Sequence, residues 1–174
     1  MKKVLLHICC GVCAFACINY LKEAGFYVEG FFCNPNIMPN EEYIKRKDAA
    51  EKVCGITSVK LNAPIYAPGN WDTVCSIYSN EPEGGRRCDL CYEFRLKETF
   101  HKAMELGFDF FTTTLSVSPH KKSKIINEIG IKIAPAYFMA IDFKKNDGFK
   151  KTMEFAKTNN IYRQNYCGCA YSIR

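Results

Sequence analysis

Seven of the eleven cysteines fall in three tight clusters: Cys9, Cys10 and Cys13 in HICCGVC, Cys88 and Cys91 in RCDLCY, and Cys167 and Cys169 in YCGC. Thiols two or three positions apart converge readily on one soft ion or an iron–sulfur cluster, but groups this far apart in the chain share a purpose only if the fold gathers them. A disulfide framework is the other outlet for so many cysteines, and it belongs to small secreted chains with weak cores. Here the apolar run before His7 is only a few residues long and no small-residue cleavage site follows it. No apolar stretch reaches the length of a membrane span. With 174 residues, 48% of them hydrophobic, the chain can bury one core without covalent staples. A soluble, reducing, cytoplasmic setting is expected, with no membrane partner.

Strand and helix signals alternate along the first half. Residues 4–8 form an apolar run that ends in the Cys9-Cys10 turn, and a helix over 13–24 is closed by Gly25. A strand over 27–33 precedes the Asn34-Pro35-Asn36 turn; Asn40 caps a helix to about Cys54, with Gly55 after it, and 57–61 is a third strand. Prolines and glycines interrupt residues 64–87, which read as an insertion with one helical stretch around 71–78. A helix over 89–106 is followed by Gly107, a strand over 109–113 and a polar loop over 114–120. Then come a short basic helix over 121–128, a fifth strand over 132–136, a helix over 147–157, and a tail from 161 without periodicity. Parallel strands need helical crossovers, so the expected fold is one α/β domain over residues 1–174 with an open, mostly parallel sheet covered by helices on both faces. Ligands of such sheets bind beyond the carboxyl ends of the strands, where Cys9 and Cys10 fall.

Cys13 near a helix N-terminus has its thiolate favoured by the helix dipole. Adjacent side chains of a strand face opposite ways, so Cys9 and Cys10 share a metal only if the turn breaks the alternation. Cys88 and Cys91 have the spacing of a chelating knuckle, and Gly168 lets Cys167 and Cys169 turn to one side. Cys17, Cys33, Cys54 and Cys75 sit singly among apolar residues and read as core. Seven thiolates exceed what one four-coordinate zinc or one cubane accepts, so either three are spare or two centres lie side by side.

Charge is uneven. Residues 1–119 hold 13 basic and 14 acidic side chains, whereas 120–174 hold 11 and 4. Lys121, Lys122, Lys124, Lys144, Lys145, Lys150, Lys151, Arg163 and Arg174 could form a phosphate-neutralising face or an ordinary solvated one. No GxxxxGK[ST], GxGxxG, HExxH or CxxxCxxC motif is present.

The segments HICCGVC, GGRRCDLCYEFRL, FTTTLSVSPHKK and QNYCGCAYS together strongly resemble the cobalamin-independent epoxyqueuosine reductase family, in the expected order from His7 to Ser172. Gly11-Val12 stands where that family usually shows Ala-Pro. The resemblance implies a fold similar to the adenine-nucleotide hydrolase and ATP-pyrophosphatase group, and reductive removal of the epoxide oxygen from epoxyqueuosine at the tRNA wobble position. It implies a [4Fe-4S] cluster with an adjacent iron as cofactors, held by the seven clustered cysteines, with tRNA and an external electron donor as partners. Arg86, Arg87, Arg95, Lys121 and Lys122 would then contact anticodon-loop phosphates, and Tyr92, Tyr166 or Tyr171 would stack on the splayed base. Tyr92 and His7 are near enough in sequence to be considered as proton donors. Two other functions share parts of the pattern: a tRNA thiolase of the same fold, which needs a glycine- and serine-rich phosphate loop, and a zinc-binding nucleic-acid module without catalysis.

Overall fold

The computed structural model describes residues 1–145 and 147–172; Arg174 lies outside them. Along the chain run β1 (Lys3–His7), α1 (Gly11–Glu23), β2 (Tyr27–Phe31), α2 (Asn40–Ile56), β3 (Leu61–Asn62), α3 (Pro68–Cys75), α4 (Arg86–Glu105), β4 (Phe110–Thr113), α5 (Ser123–Ile133) and α6 (Gly148–Thr158). The strands form one parallel sheet in the order β3-β2-β1-β4, with Val4 opposite both Val28 and Phe110. The alternation of β1 builds two layers at once. Val4, Leu6 and Ile8 pack with α1, α2 and α6, while Leu5 packs with α4 and α5 on the other face. Complete burial of such a leucine contributes about 1.5–3 kcal/mol, so this central strand anchors both layers. The expected α/β class, a parallel sheet with helices on both faces, is what the chain forms.

Several boundaries differ from expectation, each for a local reason. Asn40 is the first helical residue rather than the cap, and Gly55 lies inside α2. The chain turns instead at Ser58, whose φ of 53° takes it left-handed, so β3 keeps only two residues. Gly25 and Gly107 do adopt positive φ, at 82° and 68°, and end α1 and α4 as expected.

No strand forms over 132–136. Ile126, Ile129, Gly130 and Ile133 follow the helical spacing and face α4 and Phe138, so the isoleucine-rich run continues α5. The fifth strand is reduced to one bridge, in which Phe111 and Phe138 pair beside β4. Residues 114–117, expected in a polar loop over 114–120, form a buried 3₁₀ turn. The hydroxyls here are satisfied internally: Thr113 Oγ1, at the end of β4, accepts from the Leu115 N–H, and Ser116 Oγ donates to the Ile141 carbonyl.

Candidate functional site

Strand order makes β1 and β4 the place where the chain's progression reverses, and the crevice beyond their carboxyl ends is where such sheets hold ligands. Cys9 stands there, bound to Thr114 across the gap. The Cys9 N–H donates to Thr114 Oγ1 at 3.0 Å, and that hydroxyl donates to Cys9 Sγ at 3.2 Å. Cys10 then opens α1 with extended backbone, so the strand alternation is broken and the sulfurs of Cys9 and Cys10 lie 4.0 Å apart. With Cys13 in the first helical turn, all three sulfurs lie within 4.8 Å of one another, a group that could hold a metal. Hydrogen bonds from the Cys10 and Cys13 thiols hold Cys9 well below the ordinary thiol range, with Lys121 and Arg95 adding to the effect. Cys13 is pushed up by the same sharing and by burial.

A second sulfur group forms next to it. Cys88, Cys91, Cys167 and Cys169 line one small cavity of about 30 Å³, too small for a nucleoside. Cys88 and Cys91 share a face of α4 in its first turns, and the Gly84 N–H donates to Cys88 Sγ at 3.2 Å. Cys167 and Cys169 are carried by Gly168, whose φ of 100° suits a residue without a side chain; a Cβ there would also sit 2.8 Å from Arg46 Nη1. The Cys169 thiol, the Ser172 hydroxyl and the Cys169 N–H all stabilise the Cys167 thiolate, which lowers its pKa to about 5.

The C-terminal pair is tied to α2 by a buried cation. Arg46 pairs with Glu42 at 2.6 Å and donates to the carbonyls of Tyr166 and Cys167, each at 3.0 Å. Tyr162 donates to the other oxygen of Glu42 at 2.6 Å, so the clamp reaches the tail at three points.

A larger cavity of about 570 Å³ opens beside both groups, within the range of small-molecule sites. Cys9 and Cys167 both line it, together with Arg46, Gln164 and Tyr166. Asn36, Glu83, Arg95, Lys121 and Cys167 border this cavity and the small one alike. The two sulfur groups are therefore neighbours across one short wall.

The basic candidates separate. Arg86 is exposed, with its guanidinium 5.4 Å from the Tyr78 ring, and Lys122 is exposed close to Asp89. Lys121 is half-buried at the larger cavity. Arg87 is 1% exposed and donates to the backbone carbonyls of Tyr78, Ser79 and Glu81, so it fastens the loop before α4 and offers no surface charge. Arg95 is 4% exposed; it donates to Asn34 Oδ1 and approaches Cys91 Sγ at 3.9 Å. Lys150 and Lys151 lie on α6, in the layer opposite α5, so the basic residues of the last third do not share one helix layer.

Tyr92 lines the small cavity, Tyr166 the larger one, and Tyr171 donates to Asp72. His7 is fully buried. Its Nε2–H donates to the Cys33 carbonyl at 3.2 Å, which leaves Nδ1 to accept from the Thr113 hydroxyl at 2.8 Å. Burial, reinforced by Arg95, pushes its pKa down to about 3, so the imidazole is neutral, with both ring nitrogens engaged inside the fold. Cys17, Cys33, Cys54 and Cys75 are all buried, although Cys75 shares one buried cluster with Trp71, Cys91 and Cys169.

Sequence reasoning missed Thr114, Asn36, Trp71 and Arg46 as parts of the site. Only Thr114 had a usable signal, its place immediately after a strand beside the Cys9 strand.

The donor set fits a thiolate-bound metal group. Arg87 and Arg95 are buried, yet among the described residues neither pairs with a carboxylate. Uncompensated buried cations are costly, and an anionic thiolate centre in the adjoining cavity would supply the counter-charge.

Fold and site together define a parallel α/β protein that assembles thiol ligands at the carboxyl edge of its sheet. A family model described as "Epoxyqueuosine reductase QueH" matches residues 4–174. A Streptococcus pyogenes protein of that name is 36% identical over 180 residues, covering 98% of this chain and 70% of its own length. A Thermotoga maritima protein of the same name is 36% identical over 179 residues, covering 99% and 91%. The chain belongs to the epoxyqueuosine reductase QueH family and is an oxidoreductase. The "predicted subunit of tRNA methyltransferase" from Methanocaldococcus jannaschii shares the fold, with a TM-score of 0.61 at 12% identity over 90% of this chain and 75% of that one.

Proposed function

We propose that this protein removes the epoxide oxygen of epoxyqueuosine in tRNA to give queuosine. The observation that supports this most is the shared wall: a three-thiol group and a four-thiol group border one cavity large enough for a modified nucleoside. Converting an epoxide to an alkene consumes two electrons and two protons and releases the oxygen as water, so an external electron donor is required. When bound, a [4Fe-4S] cluster would supply electrons singly and an adjacent iron would act as Lewis acid toward the departing oxygen.

The ligand counts suggest a division. Cys88, Cys91, Cys167 and Cys169 match the four thiolates of a cubane, and Cys9, Cys10 and Cys13 match an iron with a position left for substrate. Tyr166 at the larger cavity is the aromatic best placed to stack on the flipped-in base, and Lys121, Lys122 and exposed Arg86 would meet anticodon-loop phosphates. Arg87 and Arg95 would instead balance the charge of the sulfur centres. A cytoplasmic site of action follows from this substrate, and no helix among the described residues is long and apolar enough to cross a membrane.

The test is iron and sulfide analysis of protein purified without oxygen, joined to an assay on tRNA carrying the epoxide. Cys9→Ala should lose the lone iron, and Cys167→Ala the cluster, each with loss of reduction. Full activity in either variant would overturn the assignment, and a colourless protein containing zinc would overturn the reductase reading. Binding to the tRNA should weaken steeply with salt; salt-independent binding would point to a free nucleoside as substrate.

A further inference from the structure

Among the described residues, five buried side-chain nitrogen or oxygen atoms have no hydrogen-bond partner: Asn36 Oδ1, Trp71 Nε1, Arg87 Nε, Arg95 Nε and Thr152 Oγ1. Four of those five residues line the same small cavity as Cys88, Cys91, Cys167 and Cys169. An orphaned buried donor destabilises a fold unless an acceptor reaches it, and three such N–H groups around one cavity are a common demand for an acceptor there. The donors are also held in place. Arg87 is fixed by the three carbonyls of the preceding loop, Arg95 by Asn34, and Trp71 by its stack on Tyr171 with ring centroids 6.1 Å apart. Among the described residues neither arginine forms an ion pair with a carboxylate, and Glu83, the one carboxylate lining the cavity, is exposed, so an anionic acceptor inside the cavity suits both cations. It must also be accessible from three sides, as the sulfurs of a thiolate-bound cluster are.

We propose that Trp71, Arg87 and Arg95 donate hydrogen bonds to the sulfurs of the cluster held by the second cysteine group, and that these bonds raise its reduction potential. The inference rests on the reading that this group holds an iron–sulfur cluster. Taking up one electron adds negative charge to the sulfurs without making or breaking a bond, and N–H donors and guanidinium charge favour that reduced state over the oxidised one. The trio thus sets how strong an electron donor the enzyme needs.

Trp71→Phe removes one neutral donor while keeping the aromatic packing. In whole protein purified without oxygen and titrated with dithionite through redox mediators, this variant should retain iron and sulfide. Held at the wild-type midpoint, its ratio of oxidised to reduced cluster should rise about tenfold, a fall of ~59 mV for a one-electron couple. Arg95→Met, which removes a donor and a charge, should fall further, while Lys97→Ala on the exposed face of α4 should leave the midpoint where it is.

Trp71 is the only tryptophan of the chain, so indole-¹⁵N labelling reports on it alone in the unsubstituted protein. A ¹⁵N coupling to the reduced cluster in pulsed electron paramagnetic resonance is expected, and it tests the contact even where a substitution disturbs folding. Full iron and sulfide with an unmoved Trp71→Phe potential, or no ¹⁵N coupling in the labelled protein, would overturn the inference and leave the cluster standing. Wild-type protein without iron would instead overturn the reading on which it rests.

Discussion

The two sulfur groups are built in opposite ways. Cys9, Cys10 and Cys13 come from five consecutive residues at the end of the central strand, and the strand, the turn and the first turn of α1 position them. Cys88, Cys91, Cys167 and Cys169 come from a helix start and a tail almost eighty residues later. Nothing local holds those two pieces together. Buried arginines do: Arg46 draws the tail onto α2, and Arg87 in α4, fixed by the preceding loop, places its guanidinium 5.6 Å from the ring of Tyr171 in the tail. A site made from one strand end is rigid as soon as the sheet forms, whereas a site made from distant segments is as stable as its clamps.

The sharpest way to break this comparison is to remove the clamp. In Arg46→Met the Glu42 carboxylate stays buried without its ion partner and two tail carbonyls lose their donor, so a loss of about 3–5 kcal/mol is expected in urea unfolding. The variant should also lose the metal of the second group while the first keeps its own. Equal loss from both groups in folded protein would show that they are one unit and that the contrast is false.

A smaller effect is expected from the opposite region. A Cβ on Gly11 would come within 2.5 Å of the Ala49 backbone, where α1 packs on α2. Gly11→Ala should cost ~1–3 kcal/mol by forcing the helices apart, with metal content unchanged. Loss of metal in Gly11→Ala would mean that helix spacing also sets the sulfur geometry.

The same contrast decides what could be read from the sequence. The first group was legible because an apolar run, a Cys-Cys turn and a helix are all encoded within a short window, and the glycines at 25 and 107 marked helix ends by their own backbone freedom. The four thiols of the second group were legible as motifs but not as a place. Arg87 read as a surface cation because its neighbours are polar, while its burial depends on carbonyls in a loop whose path the sequence does not specify. Trp71 and Cys75 lay in a segment broken by proline and glycine, and only contact with Cys91 and Cys169 shows that they belong to the site. The missing fifth strand is a different case: Ile126, Ile129 and Ile133 keep helical spacing across the expected helix end at 128, so α5 runs on into the stretch expected to be a strand.

The smallest expected effect tests the rigidity of the first group most directly. Thr114 joins β4 to β1 at the site, taking the Cys9 N–H and giving its hydroxyl to Cys9 Sγ. Thr114→Val keeps the shape and deletes both bonds, which should lower stability by about 0.5–1.5 kcal/mol. Because Cys9, Cys10 and Cys13 are positioned by backbone and not by this hydroxyl, iron in the first group should remain at the wild-type level. A variant that folds with its full cluster but loses the lone iron would show that Thr114 itself holds Cys9 in register. The first group would then depend on a long-range contact between two strands, as the second depends on Arg46, and the distinction between a site built into the sheet and one clamped onto it would no longer separate them.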